Sequence, residues 1–304
     1  MQTGPARFAL ITIALLLALG GAAQAKSSTV ARESKVDLQI DTKESARLFG
    51  AAVKHWNSAF QPAELRKVLQ GIADGKTVID PPLKKKLYDA RKSSAIVRSS
   101  FQLLDQKHYK PKALDTYVRA AGKLNDAINS GQLEKTPELA RKALAVLKIA
   151  KIQAEVKAFV PATTESFEGY LYTSMQFVRA SEGAKKLKAP VYHQLRKEMT
   201  NMLVLFEPGK KLSPATQRLH DRLHKIRLEM GDVHDNLIAK RLKGGNYDGK
   251  KVPLSKSTNK DLRKVLNSLR LARPANQALH YQRWKANVKS GRGAKRAAPA
   301  KAIR

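Results

Sequence analysis

From Lys43 onward, apolar residues recur at intervals of three and four, and prolines and glycines fall mainly between the periodic stretches. That spacing marks one face of an α-helix, and strand-like alternation is scarce. It predicts helices over 43–58, 62–73, 82–105, 110–130, 136–159, 163–181, 189–206, 213–242, 257–272 and 274–287. In 82–105, Leu83, Leu87, Ala90, Val97, Phe101 and Leu104 form one stripe for burial, with Lys84, Arg91 and Arg98 as a basic ridge every seven residues along its edge. In 213–242 the stripe is Leu219, Leu223, Ile226 and Met230, and Arg218, Arg222 and Lys225 share an adjoining face. Asp80-Pro81-Pro82 and Ser213-Pro214 each read as an N-cap followed by proline in the first turn. The expected fold class is all-α.

Two segments repeat one another. Tyr88-Asp89-Ala90-Arg91-Lys92 leads to Phe101 and later to Gly122-Lys123-Leu124-Asn125-Asp126; His193-Gln194-Leu195-Arg196-Lys197 leads to Phe206 and then to Gly231-Asp232-Val233-His234-Asp235. The Arg-to-Phe spacing is the same in both. Each copy reads as a basic helix, a loop, and a second helix carrying a Gly-x-apolar-polar-Asp element. The repeats are expected over about 80–160 and about 187–285 of a helical domain spanning 43–287, as two related helical bundles facing each other.

Charge changes the picture most. Lys and Arg number 58 against 25 acids, a formal net charge of +33. Self-repulsion at that density opposes compaction, and a solubilising surface needs far less, so an anionic partner is implied. The chain has no cysteine, which excludes disulfides, thiolate metal sites and thiol catalysis. Arg7 precedes an apolar run from Phe8 to Leu19, and Ala23-Gln24-Ala25 has the small-x-small pattern of a cleavage site. Residues 1–25 therefore read as a secretory signal peptide cut after Ala25, which makes the protein periplasmic or secreted, with no transmembrane segment after cleavage. Residues 26–42 read as a disordered leader. Lys285 to Arg304 holds seven basic residues and no acid; 288–304 is expected to be a disordered basic tail able to act as an electrostatic arm.

The duplicated elements resemble those of the CHAD family, the conserved-histidine α-helical domain. His193-Gln194-Leu195-Arg196 is similar to its His-x-x-Arg helix start, and Met230-Gly231-Asp232-Val233-His234-Asp235 to its Leu-Gly-Glu/Asp-Leu-x-Asp element. The resemblance covers roughly residues 80 to 285. It implies two four-helix bundles related by pseudo-two-fold symmetry, a basic groove between them, and binding of inorganic polyphosphate. The first copy has Tyr88 at the histidine position. Basic residues expected further along are Ala95 and Ile96 in the first copy, and Thr200 and Asn201 in the second; Arg98 is retained where the second copy has Leu203. The Glu-x-Glu-x-Lys signature of the triphosphate-tunnel domain often fused to this family does not occur.

A phosphate polymer offers regular negative charge and little else, so its site calls for rows of Arg and Lys at helical spacing. The candidates are Lys84, Arg91, Arg98, Arg196, Lys197, Arg218, Arg222 and Lys225, with Tyr88 and His193 as further donors. His220 and His224 lie four apart, but Arg222 and Lys225 beside them disfavour a cation. Neither a nucleophile elbow nor a Walker-type loop occurs, and no metal or cofactor is expected. Asp126 and Asp235 are expected to orient neighbouring basic residues. The leading reading is an exported binding protein for polyphosphate, not an enzyme, with basic residues of both copies meeting on one concave surface. The alternative is nucleic acid or an anionic envelope polymer held by the tail and diffuse charge. A phosphohydrolase would need clustered acids or a metal site.

Overall fold

The computed structural model describes residues 35–206, 211–242, 250–271 and 273–289, so the expected signal peptide and the tail beyond Lys289 lie outside it. The helices are α1 (Thr42–Ala59), α2 (Pro62–Ala73), α3 (Pro81–Leu104), α4 (Lys112–Asn129), α5 (Thr136–Val146), α6 (Ile149–Lys157), α7 (Thr164–Ser181), α8 (Ala189–Leu203), α9 (Pro214–Leu242), α10 (Lys256–Ser268) and α11 (Gln277–Lys289). The fold is all-α. Among the described residues, none of these helices is long and apolar enough to cross a membrane.

Side-chain caps fix several helix starts by accepting from backbone N–H groups that the first turn leaves without partners. Asp80 Oδ1 accepts from Leu83 N at 2.8 Å, and Ser213 Oγ from Thr216 N at 3.2 Å, as the proline signatures predict. Asp41, Thr163 and Ser255 do the same for α1, α7 and α10. The predicted helix over 136–159 is two helices. Lys148 N bonds to Val146 O at 2.8 Å in a tight turn, which redirects the chain so that Ala140 and Ala143 of α5 and Ile152 of α6 are all buried. No proline or glycine marks that break; tertiary packing makes it.

The apolar stripes bury as two clusters. One gathers Trp56, Leu69, Val97, Phe101, Tyr117, Leu124 and Ile152 from α1 to α6. The other gathers Phe167, Met175, Leu195, Leu219, Leu223, Ile226, Met230, Val265 and Trp284 from α7 to α11. Helix α3 belongs to both: Leu87 to Phe101 face the first, while Leu103 and Leu104 enter the second. Across the seam, α3 packs on α8 and α4 packs on α9.

The leader is ordered where it is described. Val36–Asp37 (β1) pairs in parallel with Leu269–Arg270 (β4), and Val36 and Ile40 are buried. This corrects the expectation of disorder over that part of 26–42, and it ends the helix predicted for 257–272 at Ser268. Two apolar residues among polar ones carry too weak a period to announce a strand. Lys186–Lys188 (β2) pairs antiparallel with Lys251–Pro253 (β3) beside α8.

The loop between α3 and α4 ties the seam. His108 has φ 49° and is fully buried, with its ring stacked on Tyr170 at 4.7 Å. Its Nε2 donates to Ser166 O at 2.9 Å and lies 2.8 Å from Ser166 Oγ. The amide of Asn287 on α11 donates to the His108 carbonyl. Against Gly169 of α7 lies the His280 ring of α11, so close that a Cβ there would meet it at 2.3 Å. Burial depresses the His108 imidazole to about 4.

Because the folded-state value lies below the ordinary one, the unfolded chain takes up this proton first as pH falls. Stability from this group is whole above about pH 6.5 and is lost toward pH 4, by up to about 3 kcal/mol. Urea midpoints are expected to fall across that window. His108→Asn, whose side chain tolerates left-handed φ, should flatten the slope; an unchanged slope would place the sensitivity elsewhere.

Candidate functional site

Helices α1, α3, α4, α5, α8 and α9 line an open cavity of about 1740 Å³. Twelve Lys and Arg side chains line it against three carboxylates, Asp115, Asp126 and Asp235, among the described residues. Such an excess in a concave site with low-dielectric walls focuses a positive field on whatever enters.

Arg91 and Arg196 are placed alike. Arg91 on α3 lies against Gly122 of α4, its Nε 3.7 Å from where a Cβ would sit; Arg196 on α8 lies against Gly231 of α9 at 3.8 Å. These are ordinary contact distances, so each glycine lets a guanidinium lie against the neighbouring helix without steric compulsion. The Nε atoms of Arg91, Arg98 and Arg196 are buried and find no acceptor among the described residues. Burial holds the Arg196 guanidinium below its usual range; Asp235 opposes that, while Arg227 and Arg91 add to it. The repeat arginines therefore repel one another across the cavity.

One corner is denser in charge. Arg98 Nη1 donates to Asp115 Oδ1 at 3.2 Å, and Arg119 Nη2 lies 2.6 Å from Asp115 Oδ2. Burial pushes the Asp115 carboxyl up, but Arg98, Arg119 and Lys110 outweigh it and hold the group below the usual range. Lys110 donates to Asn287 O at 2.9 Å and lies within hydrogen-bonding reach of the Lys197 amine. Burial brings Lys110 down to about 8, with Arg98 and Arg119 adding to the effect. Lys197 is pulled well below its ordinary value by burial, then by Lys110 and Arg98. Beside it Glu198 is raised by burial, and accepts from Ser174 Oγ at 2.6 Å and from Gln194.

Of the residues predicted from sequence, Tyr88, Arg91, Arg98, His193, Arg196 and Lys197 line this cavity. Lys84 is exposed and lies outside it. The ridge Arg218, Arg222 and Lys225 does not line it either. Arg218 is exposed, Arg222 Nη1 donates to Ser268 Oγ at 2.9 Å, and Lys225 pairs with Asp261 at 2.8 Å. The opposite flank of α9 lines the cavity with His220, His224 and Arg227. Both flanks border the same apolar stripe, and periodicity does not say which one meets the other half.

Lys110, Arg119, Lys123 and Arg227 also line the cavity and were not singled out in the sequence. A signal existed for two of them. Arg119 is three residues before Gly122 and Arg227 four before Gly231, so each shares the helix face of its repeat glycine. His220 and His224 rings lie 6.0 Å apart, and His220 Nδ1 is 3.0 Å from Asp221 Oδ1. Among the described residues, no group of three or more His, Cys, Asp or Glu could hold a metal ion.

Comparison of the chain with family models, with curated proteins and with solved structures finds no match.

Lys197 lies beside Lys110 and Arg98, so an apolar replacement should relieve repulsion in the empty protein. Lys197→Met is expected to stabilise the fold by about 1 kcal/mol or more in urea at low salt, with the gain shrinking as salt is added. A clear loss would mean that Lys197 is held by attraction to Glu198.

Proposed function

We propose that this chain is an exported, non-enzymatic binding protein for a phosphate polymer, with inorganic polyphosphate as its ligand and a CHAD-like arrangement of two related helical halves. The observation that carries the reading is the meeting of Arg91 and Arg196. They occupy equivalent places in the two copies, each lies against its own repeat glycine, and both open onto one cationic cavity. A diffuse adhesive surface gives no reason for buried guanidinium Nε atoms to lack protein acceptors. A polyanion supplies those acceptors, in charge-assisted bonds of roughly 1.5–3 kcal/mol each before desolvation.

Nucleic acid is the competing ligand. Tyr88 and Phe206 are the Phe, Tyr and Trp residues among the described lining, which offers few platforms for stacking bases. Binding by the tail alone would make the cavity irrelevant. Trp284 and Asn287 are buried, so a truncation that tests the tail without damaging α11 should remove only residues 290–304.

The truncated protein is expected to bind long-chain polyphosphate as tightly as the full chain and to prefer it to single-stranded DNA at equal salt. Arg91→Ala and Arg196→Ala should each weaken binding by about tenfold or more, whereas Lys84→Ala and Arg218→Ala should stay within about twofold. Equal losses for all four, or loss on truncation, would leave a generic polyanion adhesive.

A further inference from the structure

The cavity's charge is unevenly distributed. Arg98 comes from α3, Lys110 from the loop before α4, Arg119 from α4 and Lys197 from α8, and all four reach the same lining. The carboxylates close to them are Asp115 and Glu198. Both oxygens of Asp115 are engaged by Arg98 and Arg119, and Glu198 accepts from Ser174 and Gln194. With every group ionised, four cations face two anions, so two positive charges are left over. The donors are also in place: both amines, and an Arg98 Nε with no acceptor among the described residues.

An internal unit of a phosphate chain carries one negative charge. A terminal phosphate carries two once its second ionisation, near pH 6 for a phosphate monoester, is passed. It also presents three acceptor oxygens on one centre instead of two. We infer that the corner formed by Arg98, Lys110 and Lys197 is a subsite for a terminal phosphate group, so that the cavity takes its ligand by a chain end. This rests on the polyanion reading and adds a direction to it. The rest of the lining, Arg91 and Arg196 included, then follows the chain away from its end.

Protonation should follow. Burial and neighbouring cations bring Lys110 down to about 8 and hold Lys197 well below its ordinary value, so the pair is short of protons near pH 8. The groups facing them are Arg98, Arg119, Asp115, Glu198 and the Asn287 carbonyl. A dianion reverses the balance, and the amines take up protons on binding.

The test uses the full chain in calorimetry at pH 8, in two buffers of different ionisation enthalpy. The probes are linear polyphosphate, the same chain with both terminal phosphates amidated by an uncharged amine, and tripolyphosphate. Free-ended chains are expected to bind about tenfold or more tightly than blocked ones, with proton uptake. Lys197→Met and Lys110→Gln should each weaken binding of the free-ended chain more than that of the blocked chain, so that the preference disappears, and reduce the proton uptake. Equal affinity for free and blocked chains overturns the end subsite and leaves the polyphosphate reading standing. If neither long chain binds but tripolyphosphate does, with Lys197-dependent proton uptake, the polymer reading fails and the subsite belongs to a small compound with a terminal phosphate. If none of the probes binds, both fall.

Discussion

Asp115 lies between two guanidiniums, those of Arg98 and Arg119, where the two halves of a chain of net charge +33 meet. Asp126 and Asp235 also line the cavity, but Arg98, Lys110, Arg119 and Lys197 would otherwise crowd together at one corner of it. Burying one carboxylate there fixes Arg98 and Arg119 and moderates the field acting on Lys110 and Lys197. The halves can then close without neutralising the cavity. Glu198 acts differently: hydrogen bonds from Ser174 and Gln194 hold it while burial raises it, so it offsets little of the positive charge.

That arrangement is electrostatically expensive, and the fold carries it on apolar packing elsewhere. Two clusters of buried side chains flank the seam, and α3 runs through both, so the cationic walls stand on helices whose opposite faces are fully buried. The loop holding His108, with α11 docked over it through Asn287 and His280, closes the joint from outside. Depressed amines, buried Nε atoms with no acceptor among the described residues, and like charges facing each other all cost the fold stability.

Legibility in the sequence followed the physics of each feature. The stripes in α3 and α9 were visible because helical burial recurs every three to four residues over many turns; Val97, Phe101, Leu219 and Met230 are all fully buried. The caps at Asp80 and Ser213 were visible because proline and a short polar side chain act locally. The break at Leu147–Lys148 and the strand at Val36 were not, since each depends on what lies across the core. Arg91 and Arg196 stood out because similar basic segments surround them, whereas Lys110 sits in a loop shaped by His108 and by Asp105, whose carboxylate accepts from Lys107 N and Val160 N.

The sequence by itself determined that this protein is helical, strongly cationic and lacking any cysteine chemistry, because composition and periodicity are properties of the chain alone. Only the tertiary structure decided which flank of each helix faces inward. It turned Arg91, Arg98, Arg196 and Lys197 toward one cavity and sent Arg222 and Lys225 to α10 instead. The reason is geometric: a helix offers two polar flanks beside every apolar stripe, and the direction in which its neighbour approaches selects between them.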